Sequence, residues 1–466
     1  NTGNFTMNNM DATVDVGTGD FTVGAMSVSA GSFAQIGDNG ANTTQSVDSL
    51  DVTGGSVGWD QGTLSFAGAL TQSGGKIDLG AKTVSAATMR VTGGDLTLGA
   101  SYVTLSGASG TNEINTAGTI SDGGSTLRLS GADSTLTLDD NQPIGALVVN
   151  ATGVSLTDSG APTDVDTLEV TSGNDVTMSA GTLTSAGTST FDGSFSATST
   201  AALTSGGAMT VSGTGSVSVA NGDLTVSAGG LTLAAGGTVE STGTGRILIT
   251  GATSNAGTIT GGGLMSFADG ISSGGTVKVG AGGASSGNTA DFTGGTLNIS
   301  GNGYEQSEGD LILGTLLNPD ASTITFSGTV DQGFTTNGQA LGDLKLNMGA
   351  AATAVTLTGN LDLATNSGTL TLTQGTLAVN SNELSLGADL LIDNGTTVNL
   401  GGGKLTGGEF NITVADGTLV ASGTSAVTNT GNFTMDNVGA TVDVGTGDFT
   451  VGEMSVSAGS FAQSGD

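Results

Sequence analysis

The chain has no cysteine and no histidine, and only 3 prolines, 1 tryptophan and 2 tyrosines in 466 residues. Without cysteine there are no disulfides, no thiolate-ligated zinc and no thiol chemistry. Without histidine as well, the Ser/His/Asp and Cys/His arrangements that activate a nucleophile cannot be assembled. The lack of disulfides does not argue against export, because large repeat proteins are held by stacking neighbours and need no covalent staples. Basic residues are scarce too: 8 Lys and Arg stand against 41 Asp and Glu, a formal net charge of −33. So acidic a surface repels phosphate backbones and anionic lipid, so no nucleic-acid partner is expected. The excess of charge also keeps a β-rich surface soluble. No run approaches the roughly 18 apolar residues of a membrane-spanning helix, so no membrane insertion is expected within this segment. The chain opens on Asn1 without a signal-peptide pattern, which reads as a processed form or an excerpt.

What is abundant is glycine, 84 residues, together with 36% hydrophobic residues. The latter are mostly Val, Leu, Ile and Phe alternating with Thr, Ser or Asp, which is the period of a strand. Short cores follow one another every six to nine positions: Leu361-Asp362-Leu363, Leu370-Thr371-Leu372, Leu377-Ala378-Val379, Leu384-Ser385-Leu386, Leu391-Ile392 and Val398-Asn399-Leu400. Gly, Asn, Ser and Asp fill most of the gaps, and these residues tolerate sharp turns. Strands this short suit a coil better than hairpins. The reading is an all-β, elongated parallel β-solenoid over residues 1–466, with roughly three strands per turn and about 20–22 residues per turn. Inward aliphatic and aromatic side chains would stack on their equivalents in adjacent turns.

Repetition is present at longer range. Residues 1–38 recur as 429–466 at an offset of 428, with 33 of 38 positions identical and differences only at 8, 10, 11, 25 and 36. The block 125–150 recurs at 322–347: STLRLSG becomes STITFSG, and QPIGALVVN becomes QALGDLKLN. A Gln followed five residues on by Leu also appears at Gln45 and Gln306. Both copies of the long repeat are Phe-rich, with Phe5, Phe21 and Phe33 in one and Phe433, Phe449 and Phe461 in the other. Neither carries the polar cap that closes a soluble solenoid. These six residues are therefore candidates for end-to-end contact, and the expected partner is the chain itself.

Evidence for chemistry is thin. The eight basic residues are scattered, so no catalytic or cofactor-binding residues are expected and the chain does not read as an enzyme. The glycine-rich nonapeptide of Ca²⁺-binding β-rolls does not occur in tandem. Asp139 and Asp140, and Asp164 with Asp166, are weak Ca²⁺ candidates; the simpler reading makes them solvated turn residues. Thr-x-Thr pairs such as Thr135/Thr137 and Thr371/Thr373 recur irregularly, which speaks against an ice-binding face. Asn-x-Ser/Thr sequons at Asn4, Asn150, Asn298, Asn411 and Asn432 are compatible with glycan decoration.

The phrases STITFSG, QALGDLKLN, AVTLTGNLDL and GTLTLTQGTLAVNSNELSLG resemble the repeats of large bacterial extracellular β-strand-repeat surface proteins. In style they are similar to filamentous-haemagglutinin-like exoproteins and autotransporter passengers. The resemblance implies export, display at the cell surface, and a role in adhesion, biofilm or an extracellular sheath; it brings no catalytic residues. The expected function is an extracellular structural fibre. The alternatives are an adhesin stalk, marked by a distinct tip, and a polysaccharide-acting β-helix enzyme, marked by carboxylates clustered with a basic residue in a groove.

Overall fold

A computed structural model describes residues 3–17, 19–35, 44–59, 62–80, 82–114, 118–138, 144–158, 163–227, 229–261, 265–269, 271–273, 276–279, 290–291, 296–299, 304–306, 309–317 and 323–463. Among them every regular element is a β-strand, and the paired strands run parallel. The fold is a parallel β-solenoid of short strands, carried by two compact units, Asn1–Gly229 and Gly230–Asp466.

Alternation produces the core directly. In the strand Thr126–Leu129, Leu127 and Leu129 are buried while Thr126 and Arg128 are half-buried. Successive side chains of a strand point to opposite faces, so a residue spacing of two selects the interior. In the first unit three columns of inward residues stack turn upon turn. One runs Phe5, Met26, Leu50, Leu70, Met89. The second runs Val14, Phe33, Val57, Ile77, Leu96, Ile120. The third runs Phe21, Gln45, Leu64, Val84, Val103, Leu127, Leu147, Leu168. Three columns mean three sides, as expected from the sequence. Each fully buried Leu or Val is worth about 2 kcal/mol of transfer free energy.

Polar residues inside these columns donate hydrogen bonds to neighbouring turns, although the buried Gln45 Oε1 finds no partner. Buried Gln45 donates its Nε2 to the Gly19 carbonyl at 3.1 Å. Buried Asn112, one rung beyond Met89, accepts the Met89 N–H at 3.0 Å and donates to the Thr135 carbonyl at 3.1 Å. It thereby ties three successive turns together.

One corner of the first unit is a stack of glycines. Gly31, Gly55, Gly75 and Gly94 have φ of +85°, +70°, +66° and +83°. A Cβ on Gly55, Gly75 or Gly94 would lie 2.4–2.5 Å from the carbonyl oxygen of the glycine one turn before. Left-handed backbone and direct backbone approach both require glycine here. Chain that runs around such a corner stays hydrogen-bonded, and so Thr88–Gly99 forms one 12-residue strand with register shifts at Gly93. This is far longer than the expected cores.

The second unit shows the expected beat of short strands. Its last turns have columns Val355, Leu377, Val398, Leu419, Val442, Phe461; Leu361, Leu384, Leu405, Val427, Phe449; and Leu390, Ile412, Phe433, Met454. One sequence core is shifted: Leu390 and Ile392 point inward, and Leu391 is exposed. Turn length is less uniform than the expected 20–22 residues. It spans 18 residues from Ile259 to Val277 and 27 from Lys278 to Glu305. Only the paired strands must match between turns; the corners between them need not.

Both long repeats keep their register. Phe5 pairs with Met26 and Val14 with Phe33; Phe433 pairs with Met454 and Val442 with Phe461, each displaced by 428. Likewise Leu127 pairs with Leu147, and Ile324 with Leu344, displaced by 197.

Candidate functional site

The aromatic residues singled out in the sequence gather at two places. In the first unit Phe5, Phe21 and Phe33 form one cluster, with ring centroids 5.3–6.3 Å apart. Trp59 continues it, 6.0 Å from Phe33 and 6.1 Å from Phe66. In the second unit Phe449 lies 5.1 Å from Phe433 and 5.5 Å from Phe461. The two clusters are built from the same sequence in the same register, yet they differ in cover. In the first unit Met26 and Val28 are 1% and 0% exposed beneath the strand Thr44–Val52. Their counterparts Met454 and Val456 are 44% and 47% exposed. Phe449 and Phe461 are half-buried, and no described residue pairs with the far side of Met454–Val456 or Ser460–Ala462.

The Ca²⁺ candidates do not assemble a site on the described residues. Asp139 and Asp140 lie outside them. Asp164 sits in the strand Thr163–Val170 opposite Thr184. Asp166 is exposed, and its backbone carbonyl accepts from Gly187 at 2.7 Å. Among the described residues no group of three or more Asp or Glu could hold a metal ion.

Many acidic residues have a structural task that the sequence reading missed. Asp20 accepts the N–H of Thr44 at 3.0 Å, Asp95 that of Thr119 at 3.0 Å, and Asp310 that of Gly333 at 2.7 Å. Asp331 accepts from Ala354 at 2.9 Å, Asp343 from Thr369 at 2.9 Å, and Asp389 from Asn411 at 2.7 Å. Asn4, Asn360 and Asn411 bond in the same way to Ala25, Glu383 and Asn432. In nearly every case the Asp or Asn directly precedes an inward apolar residue, and its acceptor oxygen caps the same position one turn later. Asp20-Phe21, Asp95-Leu96, Asp310-Leu311, Asp343-Leu344 and Asp389-Leu390 share this form. An Asx before the first apolar residue of a core is the signal that could have revealed it. The side chain supplies an acceptor for an N–H that the next turn leaves unpaired as it rounds a corner. The sequons Asn4 and Asn411 are thus already engaged in inter-turn bonding.

An ionic groove lies in the second unit, a shallow depression of about 300 Å³ lined by Asn360, Asn382, Glu383, Gly402, Gly403 and Lys404. Glu383 accepts from Thr406 Oγ1 at 2.6 Å and from Lys404 Nζ at 3.2 Å. The Thr406 hydrogen bond first, and then Lys404, hold its carboxyl below the usual carboxylate range against the opposing pull of burial and Asp362. A general acid needs the reverse shift. This carboxylate is ionised and doubly occupied, an arrangement suited to tying adjacent turns. Other cations are engaged similarly: Arg90 pairs with Glu113 at 2.7 Å, and Arg128 donates to the Tyr102 hydroxyl at 3.0 Å.

No family model matches the chain, and no curated protein or solved structure is significantly similar to it. The functional reading therefore rests on the geometry above.

Proposed function

We propose that the chain is a structural segment of an extracellular fibre at a bacterial cell surface, a length of β-solenoid that continues from copy to copy. The observation that carries this reading is the register shared by residues 1–38 and 429–466. The same turn is built twice, in the same register and from the same inward residues, so what stacks on one copy fits the other. An open parallel edge with unpaired N–H and C=O groups is a template for further strands. A contact between two different edges does not close on itself, so it propagates. The sequence style shared with bacterial surface β-strand-repeat proteins supports the extracellular setting. Absence of histidine and cysteine, and the engaged carboxylate of Glu383, favour a non-enzymatic role. The adhesin-stalk reading gains no distinct tip from the described residues.

Electron microscopy and fibre diffraction of the purified chain, followed over a concentration series, test the proposal. Filaments that lengthen with concentration and show a meridional repeat of about 4.8 Å are expected. Particles that stay monomeric at every concentration, with no axial repeat, would refute it.

A further inference from the structure

In the first unit the corner that joins the second column to the third is lined from inside by polar side chains, unlike the glycine corner. Gln35 and Trp59 end the strands Ser32–Gln35 and Ser56–Trp59 of successive turns; they are register partners, 4% and 2% exposed. Gln45 lies at the start of the strand Thr44–Val52 across the same corner and is also buried. Further along, Lys82, Ser101 and Ser125 hold one position in successive turns, directly before the register partners Thr83, Tyr102 and Thr126, and all three are buried. Within this set Gln35 Oε1, Gln45 Oε1, Trp59 Nε1, Ser101 Oγ and Ser125 Oγ have no hydrogen-bond partner in the protein. Buried polar atoms are nearly always paired, with protein or with ordered water, because an unpaired one forfeits its hydration.

Serines stacked one rung apart on the outward faces close the gap themselves. Ser32 meets Ser56 at 3.1 Å, Ser65 meets Ser85 at 3.2 Å and Ser194 meets Ser216 at 2.9 Å. Ser101 and Ser125 have the same relation and the same chemistry, yet they are buried and stay unbonded. Rungs lie about 4.8 Å apart, too far for an O–H···O bond of about 2.8 Å unless the side chains lean together. One water spans that gap with two such bonds. The other orphans are two acceptors, on Gln35 and Gln45, and one donor, on Trp59. That set complements a water, which donates twice and accepts, and which when buried makes about three hydrogen bonds. We infer that this corner of the first unit binds internal water at two stations. One molecule bridges the Ser101 and Ser125 hydroxyls; another accepts from the Trp59 indole N–H and donates to Gln35 Oε1 and Gln45 Oε1. Water is then a structural ligand of the coil, seating polar side chains in the core at this corner, where the neighbouring corner uses bare backbone.

Urea denaturation of the full chain tests the serine station. Ser101→Ala leaves both the water and Ser125 short of a partner, and Ser125→Ala does the converse, so each single variant is expected to lower the unfolding midpoint. The double variant Ser101→Ala/Ser125→Ala removes the whole bridge and should recover most of that loss. Without a bound water each single substitution only deletes a buried, unpaired hydroxyl, so midpoints that rise or stay unchanged overturn the bridge. A double variant as low as the sum of the singles overturns it too, because the loss is then one of packing and not of a shared partner. The second station has its own probe, since Trp59 is the only tryptophan. Tryptophan isotopically labelled at its ring nitrogen gives one indole N–H resonance from the folded chain. That proton is expected to show through-space cross-relaxation with water, of the sign of a long-lived neighbour and not of exchange, and Gln35→Leu should weaken it several-fold. An indole proton without that contact, or one indifferent to Gln35→Leu, overturns the station at Trp59.

Discussion

Two kinds of corner hold successive rungs together in opposite ways. The stacked-glycine corner belongs to the early turns of the first unit, whereas the Asx cap, present there at Asn4, Asp20 and Asp95, also serves the late turns of the second. Around Gly31, Gly55, Gly75 and Gly94 the corner is made by taking side chains away, so that backbone rests on backbone. Around Asp343, Asn360 and Asp389 it is made by adding a side chain, whose oxygen reaches to the N–H one turn on. The first solution is steric and leaves no room for error. The second is a hydrogen bond, and its loss leaves a solvated amide.

Substitutions at the two kinds of corner should therefore differ in size. Gly75→Ala places a Cβ 2.4 Å from the Gly55 carbonyl oxygen at a φ of +66°, and a loss of about 3 kcal/mol or more is expected. Gly173→Ala is the control: its φ is +76°, nothing lies within 4 Å, and only about 1 kcal/mol should be lost. Chemical denaturation of both variants, read by amide exchange in first-unit peptides, would show equal losses if crowding at the corner were irrelevant. Asp343→Ala removes bonds to the Thr369 N–H and, at 2.6 Å, to its hydroxyl, so a loss of about 1 kcal/mol and faster exchange at the Thr369 amide are expected. Asp343→Asn keeps the acceptor and should restore most of the protection. If the Asn variant behaved like the Ala variant, charge and not the cap would be the cause.

The smallest effect is electrostatic. The folded state holds the Glu383 carboxyl below its ordinary range, so its contribution is present above the unfolded value and is lost as pH falls through the folded one. The pair with Lys404 is solvent-facing, which limits the contribution to a few tenths of a kcal/mol and makes it salt-sensitive. Glu383→Gln should flatten that part of the acid limb of stability against pH; an unchanged limb would show that Glu383 does not contribute.

Much of the fold was legible because alternation needs no knowledge of neighbours. Leu361, Leu363, Leu377, Val379, Leu384 and Leu386 are buried where the two-residue beat places them. The shift at Leu390–Ile392 shows the limit: three consecutive apolar residues fit either phase, and the stacking partners Ile412 and Val414 decide between them. The long strands around the glycine corner were hidden because glycine reads as a break, although here it carries the chain round without interrupting the pairing. The Asx caps were hidden for a different reason. Seeing them requires knowing which residue lies one turn ahead, and a turn that varies from 18 to 27 residues gives no fixed offset to look for. Similar phrases also conceal different roles: Gln45 and Gln306 are buried in strands, whereas Gln339 sits in a turn and accepts the Leu316 N–H.

That same variation in turn length has a consequence for how such a chain can change. Insertions and deletions at a corner leave every rung in phase, because each strand finds its partner by pattern and not by count. A gene for this coil can lengthen a corner into an exposed loop, or drop a whole circuit, without rewriting the remainder. The molecule is thus an editable scaffold, in which new surface can be tried one corner at a time while the stacked interior stays as it was.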